Sequence, residues 1–128
     1  MQIKILQAIK AHEDGKLEKA EVFYREVLKT QPRNLDVINN LGVLLSTLGR
    51  FDEAEANYRK SIELKPDYAD AYYNLGNLFK KVNRINEAEA CYIKVIELNH
   101  AYAKAHANLG AIQMELGNLD KAERSYKK

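Results

Sequence analysis

Four side chains in this sequence could support metal or nucleophilic chemistry: His12, His100, His106 and Cys91, its single cysteine. A zinc or catalytic site needs several such groups with acidic or cysteine partners at ligand spacing. The histidines fall in different segments without such partners, and no histidine stands near Cys91 in the sequence pattern. The sequence also lacks a glycine-rich phosphate loop and a serine nucleophile motif. It therefore predicts a protein that is not an enzyme and that holds no cofactor or metal.

Hydrogen-bonding chemistry does recur at a fixed spacing, because Asn40, Asn74 and Asn108 lie 34 residues apart. Asparagine is a moderate helix former, so its recurrence on a helix indicates that its amide is used. An amide carries donors and an acceptor and can bind a peptide unit from the side. Adjacent helices pack about 8–10 Å apart and an extended peptide advances about 3.3 Å per residue, so each asparagine would meet roughly every third peptide group. The alternative is local capping or solvation.

Other polar side chains extend the same predicted surface by one or more helical turns. They are Asp36, Tyr73, Asn77, Lys80, Lys81 and Lys104. Their mixed charges fit a polar peptide better than an acidic tail. We therefore predict a peptide-binding surface formed by these residues and the asparagine column.

The elements that must position these side chains repeat with the same period. The pairs Leu41-Gly42, Leu75-Gly76 and Leu109-Gly110 recur every 34 residues, and columns of alanine, glutamate and tyrosine recur with them. The repeating units are 1–34, 35–68, 69–102 and 103–128, of which the last is incomplete. The second and third units are identical at 16 of 34 positions. Such a period predicts one domain of stacked copies, with a long surface and no enclosed pocket.

Each unit reads as two helices joined by a tight turn. In the second unit, apolar residues spaced three or four apart continue to Leu48, as on one face of a helix. The segment 49–51 interrupts this pattern, and a second helical pattern of apolar residues follows it. We predict all-α architecture, an α-solenoid. Helix-capping boxes are predicted at the starts of the second helices, where an acceptor precedes a glutamate by three residues. The pairs are Asp52 and Glu55, Asn86 and Glu89, and Asp120 and Glu123.

The glycine and tyrosine columns predict how the helices pack. A glycine in the middle of a helix costs about 0.5–1 kcal/mol relative to alanine, so its recurrence predicts close approach of another helix. Small residues on the second helices, Ala54, Ala88 and Ala122, are the expected counterparts. The column Tyr24, Tyr58, Tyr92 and Tyr126 is expected in the core, with each hydroxyl reaching a partner at the rim. His106 is expected to be a packed core histidine, and Cys91 a partly buried, inert thiol.

Composition limits the partners and the location. A net charge of +2 with 30% charged residues gives no electrostatic footprint for nucleic acid. No apolar run reaches the roughly 20 residues that cross a bilayer, and the amphipathic N-terminus does not resemble a signal peptide. One cysteine cannot form an internal disulfide. We expect a soluble, cytoplasmic protein that binds neither nucleic acid nor membrane.

With its Leu-Gly pairs, its alanine and tyrosine columns and the closing prolines Pro32 and Pro66, the sequence resembles the tetratricopeptide repeat family. In the first unit Gln7 and Ala8 replace the Leu-Gly pair, as an N-terminal cap would. The resemblance implies a right-handed superhelix whose first helices line a concave groove that binds proteins. Pentatricopeptide arrays, which bind RNA, have a similar period but usually 35 residues and a basic face, which this sequence lacks.

The asparagine column is similar to that in the repeat region of O-linked N-acetylglucosamine transferase, where asparagines hold a partner's backbone. This similarity leaves an alternative open: a scaffolding or substrate-recruiting arm of a larger enzyme. Self-association through the uncapped last unit is a further alternative. The carboxylate clamp of chaperone-binding relatives is incomplete, because Asn108 replaces the expected arginine and Ile5 and Ile9 occupy polar places of the first unit.

Overall fold

The computed structural model describes residues 2–126 and the side chains of residues 3–117. Within this part of the chain all regular structure is helical. The helices are α1 (Gln2–Glu13), α2 (Leu17–Thr30), α3 (Leu35–Thr47), α4 (Phe51–Leu64), α5 (Ala69–Lys81), α6 (Ile85–Leu98) and α7 (Ala103–Tyr126). Across the described residues, no helix combines the length and apolar character that membrane crossing requires.

Helices α1 to α6 form three helical hairpins, each closed by a turn of three residues. The middle of each turn is a residue with positive φ: Gly15 at 78°, Gly49 at 79° and Asn83 at 65°. Glycine adopts this left-handed conformation without steric cost, and asparagine is among the few other residues that tolerate it. The turn chemistry therefore fixes where each hairpin folds back.

The hairpins stack so that the second helix of each unit contacts the first helix of the next, in the pairs α2 with α3, α4 with α5 and α6 with α7. First helices also lie side by side, because α3 contacts α5. The surface formed by α1, α3, α5 and α7 is called the first-helix face below, and that formed by α2, α4 and α6 the second-helix face. This arrangement confirms the predicted all-α solenoid of repeats.

The tyrosine column forms the core, as predicted: Tyr24 is 1%, Tyr58 2% and Tyr92 0% exposed. It also explains two of the glycines. A Cβ atom added at Gly42 would lie 2.6 Å from Tyr58 Cε1, and one at Gly76 would lie 2.9 Å from Tyr92 Cε1. The close approach predicted from these glycines is confirmed, and the group that comes closest is the tyrosine ring rather than the alanine of the opposing helix.

Arginines at the hairpin turns join adjacent units. Arg50 donates to Glu21 on α2 at 2.8 Å and to Glu53 at the start of α4 at 2.5 Å. One unit on, Arg84 makes the same pair of contacts, to Glu55 at 2.9 Å and to Glu87 at 2.8 Å. Each arginine therefore links the second helices of two adjacent units. These ion pairs add a specific polar contact to the apolar packing between the units.

The predicted capping boxes are wrong. Helix α4 begins at Phe51, so its N-cap is Arg50, and α6 begins at Ile85 after Arg84; neither cap side chain bonds the helix end. Asp52 and Asn86 lie inside the first turn, and Glu55 pairs with Arg59 and Arg84 instead of a backbone amide. A side-chain cap occurs on a first helix, where Asn34 Oδ1 accepts from the Val37 amide at 3.2 Å.

The fourth unit differs from the predicted hairpin. Helix α7 continues without a break past Gly117, through the positions of the third expected capping box at Asp120 and Glu123. The side chains of Ala122 and Tyr126, expected to pack in this unit, lie outside those described.

Two further expectations fail for the same reason. Among the described residues, a Cβ atom at Gly110 would meet no atom within 4 Å, so this glycine shows none of the close contact of its counterparts there. His106, expected in the core, is exposed, and its Nε2 lies 2.8 Å from the His100 carbonyl oxygen. No second helix covers this side of α7 in the described residues.

Candidate functional site

The first-helix face carries two hollows at equivalent places in consecutive units. The first hollow, of about 250 Å³, is lined by Ile9, His12, Glu13, Tyr24 and Asn40. The second hollow, of about 180 Å³, contains the residues 34 positions later, joined by three from α5: Val43, Ser46, Thr47, Tyr58, Asn74, Asn77, Leu78 and Lys81. Each hollow therefore lies between two adjacent first helices, and its wall contains a core tyrosine and one residue of the asparagine column.

The first hollow combines an imidazole with a free amide. A hydrogen bond of 3.1 Å joins His12 Nδ1 to the Tyr24 hydroxyl. Burial lowers the pKa of His12, and the nearby Glu13 carboxylate offsets this only in part, so the imidazole is neutral at pH 7. Burial raises the pKa of Tyr24 to about 12. The amide of Asn40 makes no hydrogen bond within the described part of the chain, so its donors and acceptor are available to a ligand.

The second hollow has a free hydroxyl where the first has a paired one. Tyr58 lines it, and its hydroxyl has no hydrogen-bond partner among residues 3–117. Asn74 uses one donor on Asn39 Oδ1, at 3.1 Å, which leaves its second donor and its carbonyl oxygen. Lys81 Nζ lies 3.5 Å from Ser46 Oγ, which places a positive charge at the wall of this hollow.

At the third equivalent place the polar groups satisfy one another. The Tyr92 hydroxyl donates to Asn77 Oδ1 at 2.5 Å, and Asn108 Nδ2 donates to the same oxygen at 3.2 Å. Asn108 also donates to the Tyr73 hydroxyl at 3.3 Å. The Tyr73 ring lies between those of Tyr92 and Tyr102, with centroids 6.0 and 5.2 Å away. This network leaves fewer free polar groups than the first two hollows have.

The remaining predicted residues lie at the ends of the first helices. Lys80 and Lys104 are exposed, at the end of α5 and the start of α7, and neither forms an ion pair within the described residues. Asp36 accepts from the Tyr68 hydroxyl at 3.3 Å, and Asp70 accepts from Tyr102 at 2.7 Å in the next unit. Each tyrosine directly precedes the next first helix, so these bonds join the N-termini of consecutive first helices.

The structure brings some of the predicted residues together and separates others. Asn74, Asn77 and Lys81 share the second hollow, Asn40 lies in the first, and Asn108 belongs to the closed network. Sequence reasoning missed the contributions of His12 and Ser46, which occupy one position of the period in consecutive units. Reading that column across the units would have identified them. Residues 3–117 contain no group of three side chains arranged to hold a metal ion.

Comparison with known families gives matches over nearly the whole chain. Four family models, one described as a TPR repeat and three as tetratricopeptide repeats, match residues 44–83, 69–102, 11–57 and 103–128. A search of curated proteins gave no match.

Solved structures share the fold. MamA protein is 28% identical with a TM-score of 0.78, over 98% of this chain and 69% of that chain. The first TPR of Spaghetti (RPAP3), bound to an HSP90 peptide, is 23% identical with a TM-score of 0.84, over 91% of this chain and 92% of that one. An O-GlcNAc transferase mutant from Thermobaculum terrenum is 25% identical with a TM-score of 0.80, over 87% of this chain but 21% of that chain.

Proposed function

The chain belongs to the tetratricopeptide repeat family, and on that premise we propose that its first-helix face binds an extended segment of a partner protein. The observation that supports this proposal is the pair of equivalent hollows with unsatisfied polar groups, the Asn40 amide and the Tyr58 hydroxyl. Unused hydrogen-bonding groups that recur in adjacent units suit a repeating ligand such as a peptide backbone. The structure of the same fold that holds an HSP90 peptide is consistent with this use.

The bound segment would be polar and would advance from one hollow to the next. Asn40 and Asn74 would bind its backbone from the side, while the hollows would take its side chains. The charges at the two ends differ, since Glu13 lines the first hollow and Lys81 the second. We therefore propose that a basic or polar residue of the ligand enters the first hollow and an acidic or polar residue the second.

Selection of peptides from a random displayed library on the purified chain tests this proposal. For the selected peptides, Asn40→Ala and Tyr58→Phe should each weaken binding about two- to twelvefold, the effect of one lost hydrogen bond of about 0.5–1.5 kcal/mol. Both groups lack an internal partner, so neither change should lower helical content or stability. Asn86→Ala, the same change at an exposed position of α6, is the matched control and should leave affinity unchanged. If neither Asn40→Ala nor Tyr58→Phe changes the affinity, the selected peptides do not bind at the first-helix face and the proposal is contradicted.

A second candidate function is a substrate-recruiting or scaffolding arm of a larger enzyme. The similarity to an O-GlcNAc transferase, of which this chain matches 21%, favours it. The open reading frame that contains this sequence decides between the two, since a catalytic domain in the same polypeptide is required for the second. Peptide binding by the first-helix face is common to both.

Self-association is a third candidate, supported by the open side of α7. A Cβ atom added at Gly110 would meet no described atom within 4 Å, whereas Gly42 and Gly76 are each covered by a tyrosine ring. A second copy could cover this side. Light scattering over a range of concentrations tests it: a mass that stays that of one chain at high concentration contradicts self-association.

A further inference from the structure

The second-helix face contains a cleft that the proposed peptide-binding surface does not include. It lies between α4 and α6 above α5 and has a volume of about 430 Å³. Leu75, Phe79 and Cys91 contribute to its apolar floor, and all three are less than 9% exposed. Arg59 and Glu63 stand at its rim. The cleft is of the size range of ligand-binding pockets, about 300–1,000 Å³.

The preceding unit shows why the cleft is open. There the position of Cys91 is Asn57, whose Nδ2 donates to the Ile38 carbonyl oxygen at 3.2 Å and so joins α4 to α3. A cysteine side chain ends one atom earlier and cannot make this bond to Tyr72, the residue equivalent to Ile38. Ile38 is buried, whereas Tyr72 is half-buried and lines the cleft. The helix-joining bond of the preceding unit therefore has no counterpart at Cys91, which lines the cleft.

The charges around the cleft leave one negative charge unpaired. Arg59 pairs with Glu55 at 2.8 Å, and Arg84 pairs with Glu87 at 2.6 Å and with Glu55 at 2.9 Å. Glu63 forms no ion pair within residues 3–117. Three carboxylates therefore face two guanidinium groups, and the excess negative charge lies at Glu63, on the rim.

We propose that this cleft binds an aromatic side chain of a partner protein, flanked by a lysine or arginine that pairs with Glu63. The ring would lie against Leu75 and beside Phe79, whose ring already has the guanidinium groups of Arg84 and Arg59 over it, at 4.3 and 5.8 Å from the centroid. The Cys91 sulfur offers the polarizable contact that aromatic rings favour. Ring burial supplies the affinity and the flanking cation supplies the selectivity. This site is independent of peptide binding on the first-helix face, since it uses α4, α5 and α6 from the other side of the stack.

Three short probes test the proposal by NMR titration of the whole chain. We expect acetyl-Lys-Phe-Lys-amide to shift the backbone amide signals of Leu75, Phe79 and Cys91. Acetyl-Lys-Ala-Lys-amide lacks the ring and should not shift them. Acetyl-Glu-Phe-Glu-amide keeps the ring and should bind more weakly, by about two- to fivefold for each unfavourable exposed charge pair. The same order should appear in the protection of Cys91 against a thiol reagent.

Two variants provide the controls. Cys91→Asn installs the residue of the preceding unit and should abolish the shifts, and a dispersed spectrum will show that it folds. Glu63→Lys changes only an exposed rim residue and should make acetyl-Glu-Phe-Glu-amide the better ligand. The proposal is overturned if all three peptides shift the same signals equally, if the shifts survive in folded Cys91→Asn, or if Glu63→Lys leaves the order of affinities unchanged. Retained binding in Asn40→Ala would separate this site from the first-helix face.

Discussion

The glycine column gives a prediction in which the same substitution changes the free energy of unfolding in opposite directions at two equivalent positions. Alanine at residue 42 would place a Cβ atom 2.6 Å from Tyr58 Cε1, and this ring is only 2% exposed. Overpacking of this kind costs about 1–3 kcal/mol, whereas alanine in a helix gains about 0.5–1 kcal/mol over glycine. The difference is a loss of about 1 kcal/mol in the free energy of unfolding, within a range of about 0–2.5 kcal/mol.

Gly110 is the matched control, because an alanine Cβ atom there would have no neighbour within 4 Å in the part of the chain whose side chains are described. Only the gain in helix propensity applies, so Gly110→Ala should raise the free energy of unfolding by about 0.5–1 kcal/mol. Urea unfolding followed by circular dichroism measures both changes, provided that the slope of the transition stays constant between variants. A change in slope would show altered cooperativity, to which repeat arrays are prone.

Two results would refute this reasoning. If Gly42→Ala stabilises the chain, contact with the Tyr58 ring does not explain the glycine. If Gly110→Ala destabilises it as much as Gly42→Ala does, a tyrosine ring also packs on Gly110, and the fourth unit closes like the others. The comparison therefore measures the packing of the core and the openness of α7 in one experiment.

Four further predictions concern single side chains. Ser61 is fully buried and its hydroxyl has no hydrogen-bond partner in the described chain, whereas the flanking units have valine; Ser61→Val should therefore stabilise the fold by about 1–3 kcal/mol in urea unfolding. Burial lowers the pKa of His12 below 6.5, so stability should fall as the pH drops through 6.5, and His12→Gln should reduce that slope. Burial raises the pKa of Cys91 to about 11, so alkylation of the folded chain should accelerate up to that pH, whereas the unfolded chain should level off near 9. Arg84→Gln should lower the melting temperature, and the difference should shrink in about 1 M salt, where the Debye length is about 3 Å.

The period alone predicted the fold and most of the core. Apolar residues spaced three or four apart specify helices, and a tyrosine repeated in each unit must be buried in the same way each time. The burial of Tyr24, Tyr58 and Tyr92 followed from this regularity. These properties depend on short-range spacing, which a sequence displays directly.

The candidate site was only partly predictable. The asparagine column was visible in the sequence, but the state of each amide depends on neighbours in adjacent units: Asn40 is free, Asn74 pairs with Asn39, and Asn108 pairs with Asn77. The capping boxes at Asp52 and Asn86 failed because α4 and α6 begin two residues earlier than these acceptors required, and a shift of this size lies within the ordinary variation of helix ends.

The sequence by itself determined the repeating helical unit, its length of 34 residues and the buried columns, because these follow from spacing along the chain. Tertiary structure decided which polar groups remain unsatisfied, that Cys91 leaves a cleft where Asn57 bridges two helices, and that α7 continues past Gly117. Those outcomes depend on what each side chain meets across the stack. Identical residues at equivalent positions meet different neighbours, and only the folded arrangement specifies them.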